Sequence, residues 1–498
     1  MKIKQLLEGV DVAGVCPEFK DVEVKRISCD SRDVTPGTVF VAVRGPMRDG
    51  HKYIDDAVKK RASAIILEDR SLKPLTSEGV PFIIVNDSKE ALSKIADTFF
   101  GYPYQRIKCV GITGTNGKTT VSYLVKSVLN AADVKCGLIG TIGYKVDEEN
   151  IKTNNTTPGV LELHELMSNM AKAGDTYVAL EVSSHALDQE RVKGIIFRSA
   201  IFTNLTQDHL DYHKTMEDYF LAKQKLFTEY ADENTDFVIN KDEAFGQRLA
   251  RSLKGRILTY GFSSDADVCV MRHELSRGGS QAIIKIPQGV INIVSALVGR
   301  HNLYNIMAAV AFGVSEGLDQ ASIKKGIEAV SSVPGRLERI DAKKGFSVFV
   351  DYAHTDDALK NVLESLRLIL HNGRIIIVFG CGGDRDKGKR PKMGRVASVF
   401  SDYCFVTSDN PRSEEPEEII EQIIAGIEKN NFEVEPDRFK AIQKALTMAA
   451  EGDFVLVAGK GHETYQTIKD RTFVFDDKSV VLKILSCPVR RGKPESNV

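Results

Sequence analysis

Apolar residues along this chain fall mainly in short unbroken runs rather than in strict alternation with polar ones. VFVAV (39–43), AIILE (64–68) and FIIV (82–85) open the series, and IKCVGI (107–112), YVALEV (177–182), SAIFTN (199–204) and FVIN (237–240) continue it. SVFVDY (347–352), RIIIVFG (374–380), YCFVTSD (403–409) and FVLVAGKG (454–461) complete it. A strand reads as a continuous apolar run when both of its faces are covered. Between the runs lie stretches of helical pattern, such as VSYLVKSVLNAA after Thr120. That alternation predicts an α/β chain of parallel sheets flanked by helices. Only the segment near 255–300 carries mixed, short strand signals with no evident order.

Two punctuated stretches divide the pattern. GYPYQR (101–106) reads as a linker, and VPGR (333–336) marks a second boundary. With 498 residues the chain is too long for one ordinary domain. The boundaries predict units over 1–103, 104–333 and 334–498. Apolar residues make up 42% and charged residues 27%, with a formal charge of -1, so neither a nucleic-acid-coating nor a membrane-hugging surface is expected. The eight cysteines are scattered, with no C-x-x-C pair, which excludes a zinc ribbon and fits a reducing, cytoplasmic compartment. The opening MKIKQLLEGVDVAG has no signal-peptide pattern, and no apolar run is long enough to span a membrane. The polar tail RRGKPESNV is expected to fray.

The sharpest chemical signal is Gly114-Thr115-Asn116-Gly117-Lys118-Thr119-Thr120, between a strand and a helix. Glycines let the backbone curl, the helix start contributes partial positive charge, and Lys118 adds a full one. Thr119 offers a hydroxyl to Mg2+. The strict phosphate-loop spacing has glycine at 112, where this chain has Ile112 beside Gly111.

The loop variant TGTNGKTT resembles that of the Mur ligase family. Further blocks agree in order over nearly the whole chain: DSRDVTPGTVFVAV (30–43), NNTTPG (154–159), EVSSHALDQERV (181–192), TNLTQDHLDYH (203–213) and YFLAKQKLF (219–227). GRHNLYNIMAA (299–309), PGRLE (334–338), DYAHTDD (351–357), GCGGDRDKGKRPKM (380–393), SDNPR (408–412) and AGKGHETYQ (458–466) follow. Each block alone is weak; the ordered set is specific. The resemblance implies three domains: an N-terminal one for a uridine nucleotide, a central P-loop-type ATPase, and a C-terminal Rossmann-like one for an amino acid. It implies that ATP phosphorylates the free carboxylate of UDP-MurNAc-L-Ala-D-Glu, and that an amine then displaces phosphate.

That chemistry brings two anions together, so positive charge must be concentrated. The resemblance points to Asn302, Arg336, Asp351 and His354 as ATP contacts beside the loop, with Asp356 standing where the family has proline. It points to Thr119, Glu181, His209 and Lys223 as Mg2+ ligands, Lys223 as a carbamate. Mg2+ prefers oxygen, so His209 rests on the resemblance rather than on metal preference. A lysine in AKQKLF otherwise reads as solvated, as Lys225 does. Lys118, Lys223, His209 and Arg336 are the expected catalytic set. Ser31, Asn155, Thr156, Thr157, Ser183, Gln189 and Arg191 are implied contacts to the UDP substrate, although singly such residues are turn chemistry.

DNPR (409–412) discriminates among amino acids. In the resembling family the arginine accompanies meso-diaminopimelate, and typical lysine-adding members replace it. Diaminopimelate carries an additional far carboxylate, which Arg412 can grip in a bidentate fork. Asp409 and Asn410 can receive the distal ammonium. Arg385, Pro411, Gly459 and Glu463 are further implied contacts. The alternatives are a lysine-adding ligase, a folylpolyglutamate synthase, a P-loop nucleotide switch without ligase chemistry, and an inactive relative. The DSR and DNPR blocks and the large N-terminal unit stand against the folate reading, and the intact Lys118, Glu181 and His209 against inactivity.

Overall fold

The computed structural model describes residues 1–16, 22–45, 48–69, 80–146, 149–151 and 155–486; the tail expected to fray lies outside them. Each apolar run named above overlaps a strand. The strands gather into three main sheets.

The N-terminal sheet has Arg26–Ser28, Thr38–Val41, Ala64–Leu67 and Phe82–Val85 in parallel, with Val12–Cys16 antiparallel at the edge. Helix Ser88–Phe100 follows. Asp87 caps it by accepting from Lys89 N and Glu90 N, and Gly101 ends it in the left-handed region. This helix seats the N-terminal unit on the central one: Ser93 Oγ donates to the Lys193 carbonyl at 2.7 Å, and His164 Nε2 lies 2.8 Å from Asp97 Oδ1.

The central sheet has eleven strands. Its parallel core runs in the order Arg256–Gly261, Asp236–Asn240, Ser199–Phe202, Lys108–Thr113, Tyr177–Glu181, Cys136–Gly140. Helices Lys118–Ala131 and Arg300–Ser315 cover one face with Val121, Leu124, Val128, Ile306 and Met307. Helices Val160–Lys172 and Met216–Thr228 cover the other with Leu163, Met167, Phe220 and Leu226. Both faces being covered explains the unbroken apolar runs. The segment whose strand signals had no order is an antiparallel meander, Val268–Ser276, Gly279–Ile286 and Gly289–Ser295, extending one end of the sheet. Burial alternates along Gly279–Ile286, because one face meets water.

In the C-terminal sheet Ser347–Asp351, Phe454–Ala458, Ile375–Phe379, Tyr403–Val406 and Phe432–Val434 are parallel, and Glu338–Asp341 is antiparallel at the edge. A hairpin, Tyr465–Ile468 with Arg471–Val474, stands apart. Asp351, Gly380, Asp409 and Gly459 fall at or just past the carboxyl ends of these strands, where open parallel sheets hold ligands.

Candidate active site

Strand Lys108–Thr113 lies between Ser199–Phe202 and Tyr177–Glu181, so its carboxyl end opens at a crevice. Gly114 follows with φ 148°, and Gly117 with φ 88°. A Cβ on Gly114 would stand 1.9 Å from Thr203 Oγ1, and one on Gly117 2.5 Å from Asn305 Oδ1. Glycine is therefore required at both. The other glycine, Gly111, serves packing: a Cβ there would meet the Phe197 ring at 2.8 Å. Ile112 is a fully buried strand residue, so the departure from the strict spacing lies outside the loop.

Asn204 holds the loop from beneath. Thr115 N donates to its carbonyl at 2.9 Å and Asn116 N to its Oδ1 at 2.8 Å. Anion binding then falls to the helix beginning at Lys118, whose first N–H groups have no helical carbonyl to bond. Lys118 Nζ donates to the carbonyls of Gly114 at 2.9 Å and Thr115 at 2.8 Å. Lys223 Nζ donates to the same Gly114 carbonyl at 2.9 Å. Lys223 is 1% exposed and lies over the Tyr219 ring. It is not the solvated lysine its local pattern suggests. Burial, then Lys118, hold its ammonium well below the ordinary 10.5.

Glu181, fully buried at its strand end, accepts from Thr119 Oγ1 at 3.0 Å, Thr141 N at 2.9 Å and Thr141 Oγ1 at 2.9 Å. Arg336 NH2 donates to Thr119 Oγ1 at 3.0 Å, bringing the second boundary turn onto the loop. The Arg336 Nε is buried with no partner and its guanidinium lies over Tyr352. The Thr119 hydroxyl and Glu181 carboxylate are hard oxygen donors beside the loop, a pair that suits Mg2+. His209 sits in the left-handed region (φ 54°), its ring centroid 4.8 Å from that of His185. Burial pushes its pKa down to about 4, against the pull of Asp208. Among the described residues no group of three or more His, Cys, Asp and Glu converges on one metal point.

From the C-terminal unit, Asp351 accepts from Leu337 N and from Ala353 N. His354 Nδ1 lies 2.9 Å from the Tyr352 carbonyl, and burial and Lys389 hold its pKa down to about 4. Asp356 begins helix Asp356–Ile369, which Thr355 caps. A first-turn carboxylate favours the helix start, so this aspartate replaces the family proline without cost to the helix. Asp357 accepts from Asn116 Nδ2 at 3.2 Å and Thr206 Oγ1 at 2.9 Å, linking this helix to the phosphate loop. Asn302 donates to the Val298 carbonyl and accepts from Asn305.

Two cavities result. One of about 1030 Å³ is lined by Thr115–Thr120, Glu181, His209, Arg336, Asp351 and His354. The other, about 550 Å³, is lined by Arg385, Asp409, Asn410, Arg412, Gly459 and Glu463. Asp208, His209, Tyr352, His354 and Thr355 line both. In the second cavity Arg412, at φ 51°, donates through NH1 to the Gly383 carbonyl at 2.7 Å. Its backbone N donates to the Thr467 carbonyl at 3.1 Å, so the isolated hairpin buttresses it. Asn410 Nδ2 donates to Glu463 Oε2 at 2.8 Å. A Cβ on Gly459 would stand 2.7 Å from Asp409 Oδ2. Arg390, fully buried, pairs with both Glu414 oxygens at 2.9 Å and donates to the Gly382 carbonyl.

The residues expected at the UDP substrate are only partly gathered. Thr157 Oγ1 donates to the Glu181 carbonyl at 2.8 Å and accepts from Ser183 N. Arg191 donates to the Thr157 carbonyl and to Gln189 Oε1. Thr156 lines the larger cavity. Ser31 begins a 3-10 turn in the N-terminal unit, and neither it nor the exposed Asn155 lines either cavity.

Sequence reasoning missed Asn204, Tyr219, Asp357, Lys460 and the Arg390–Glu414 pair. Each acts on a residue distant in the chain. Their presence inside the ordered blocks was the only available signal, except for Glu414, which follows the SDNPR block. Among the described residues no helix is long and apolar enough to cross a membrane.

Three family models match the chain: "Mur ligase family, catalytic domain" over 23–100, "Mur ligase middle domain" over 112–313 and "Mur ligase, glutamate ligase domain" over 335–461. The UDP-N-acetylmuramoyl-L-alanyl-D-glutamate--2,6-diaminopimelate ligase of Solibacter usitatus is 44% identical, with 97% of this chain and 98% of that one covered. The enzyme of the same name from Aquifex aeolicus is 45% identical, covering 93% and 94%. A solved structure with that name has 32% identity and a TM-score of 0.66, over 93% of this chain and 94% of the other. Matched nearly end to end, with its phosphate loop between covered sheets, the chain belongs to the Mur ligase family.

Proposed function

We propose that this protein is a cytoplasmic ligase of peptidoglycan synthesis that uses ATP to join meso-diaminopimelate to the D-glutamate of UDP-MurNAc-L-Ala-D-Glu. The observation that carries the reading is the common wall between the two cavities. An activated carboxylate formed beside the phosphate loop would already face an amine held over Arg412.

In the first step a D-glutamate carboxylate oxygen bonds to the γ-phosphorus of ATP. The bond to the bridging oxygen breaks, and ADP leaves. In the second, the amine nitrogen bonds to the carbonyl carbon of the acyl phosphate, the carbon–oxygen bond breaks, orthophosphate leaves with the bonding pair, and the amine proton passes to solvent. Gly114–Thr120 cradle the phosphates, with Lys118 and Arg336 offsetting negative charge. Asn302, Asp351 and His354 complete the nucleotide contacts. Thr119 and Glu181 would hold Mg2+, with His209 and a carbamylated Lys223 as further ligands, and a bound ion would supply screening between the two anions. Ser31, Asn155, Thr156, Thr157, Ser183, Gln189 and Arg191 serve the UDP substrate, Ser31 from the N-terminal unit 1–103. Units 104–333 and 334–498 supply the nucleotide and amino-acid sites.

Arg412 takes the far carboxylate of diaminopimelate, Asp409 and Asn410 are read as receiving its distal ammonium, and Arg385, Pro411, Gly459 and Glu463 supply further contacts to the substrate. The test offers purified protein ATP, the UDP-dipeptide and a panel of amino acids, with folate as an alternative acceptor. Tripeptide and orthophosphate with diaminopimelate support the reading. Product only with lysine, or only with folate and glutamate, overturns it.

A further inference from the structure

Lys460 is fully buried beside the amino-acid cavity, and the steps above do not use it. Its ammonium donates to Asn410 Oδ1 at 3.3 Å and lies 3.5 Å from Glu463 Oε2. Thr467 N donates to the same Asn410 oxygen at 2.9 Å. A backbone N–H and an ammonium can only donate, so the Asn410 atom facing both is its oxygen. The NH2 edge therefore faces Glu463. The Asn410 oxygen is filled from within the protein, and the amide has an N–H to spare. Arg412 commits NH1 to the Gly383 carbonyl, which leaves its remaining edge for a ligand. Of the carboxylates lining the cavity, Asp409 is the neighbour of Asn410 in the chain and Glu463 is its hydrogen-bond partner, with Glu463 Oε1 also accepting from the Tyr352 hydroxyl at 3.5 Å.

We propose that Lys460 is a positioning residue for amino-acid specificity. By holding the Asn410 oxygen, it makes that side chain a donor for a carboxylate beside Arg412 rather than an acceptor for an ammonium. This rests on the amino-acid reading of the cavity. The distal ammonium is then taken by Asp409 and Glu463, and Asn410, which the sequence suggested would share it, faces the carboxylate. Without Lys460 the amide has less to hold its orientation, and the cavity loses part of its preference for an end bearing both groups.

The experiment compares meso-diaminopimelate with L-lysine in wild type, Lys460→Met, Lys460→Arg and Asn410→Asp. In Lys460→Met the ratio of the two kcat/KM values should fall about tenfold, because a site built around hydrogen bonds discriminates through them. The KM for ATP should hold. Lys460→Arg keeps a donor and should restore part of the ratio. Asn410→Asp replaces the donors with an acceptor and should lower the ratio without touching Lys460. An unchanged ratio in Lys460→Met, or equal losses for both amino acids, overturns the proposal. If Lys460→Met does not fold, an unchanged ratio in Asn410→Asp overturns it. Wild type that forms no tripeptide with any amino acid faults the cavity's assignment instead.

Discussion

Lys118 and Lys223 direct their ammonium groups at one carbonyl, that of Gly114, each from 2.9 Å. Burial, and after it the charge of Lys118, hold the Lys223 ammonium well below 10.5. A neutral amine is the form that reacts with CO2, and a carbamate would turn the repulsion into attraction. Lys223→Ala is therefore expected to lose about a hundredfold or more in turnover, the range for removing one charge-stabilising group. Formate or acetate should restore part of it. Full activity of the variant with no addition would exclude the carbamate.

Lys118→Ala removes the only full charge within the phosphate loop. Turnover should fall by about 10²–10³ or more. The fold should persist, because the ammonium bonds only the Gly114 and Thr115 carbonyls, and the Gly114 carbonyl keeps its hydrogen bond from Lys223. Phosphate release and the thermal midpoint, measured together, check this. A collapsed midpoint would mean that the loss is structural.

Arg412→Ala should raise the KM for diaminopimelate by about 30-fold, the effect of about 2 kcal/mol from truncating one partner of a buried charge pair. The KM for ATP should stay within a factor of about two, since Arg412 lines the second cavity only. An unchanged diaminopimelate KM would remove the reason for choosing that substrate.

Glu414 provides a pH test. Its hydrogen bonds with Arg390 hold the carboxyl down from the ordinary 4.5 to about 2. The folded state thus releases this proton more readily than the unfolded chain. The stabilisation is present above 4.5 and is lost as pH falls through about 2. Glu414→Gln should lower the thermal midpoint at pH 6 and lessen its further drop between pH 5 and pH 2. Parallel midpoint curves for wild type and variant would show that the pair contributes no such linkage.

The sequence displayed what repeats and what is covered. Strands such as Ile375–Phe379, buried on both faces, read directly as apolar runs. The meander did not, because Gln281, Lys285 and Asn292 on its wet face interrupt Ala282, Ile284 and Ile293 on its dry one. The phosphate loop was legible because its glycines, lysine and threonines are consecutive. Lys223 was not, since only packing shows that its side chain turns inward to Gly114. Lys460 was hidden for the same reason: its importance lies in an oxygen fifty positions away. Ser31 reached the candidate set by resemblance alone, and packing keeps it in a separate unit.

The side chains common to both cavities make the two chambers neighbours, so on the proposed chemistry a labile mixed anhydride would form beside the second chamber. A small molecule filling the nucleotide cleft and extending past His354 would lose its tumbling freedom once while gathering contacts in both chambers. Such a bridging compound would be discarded by any enzyme whose two chambers were separated by a closed partition.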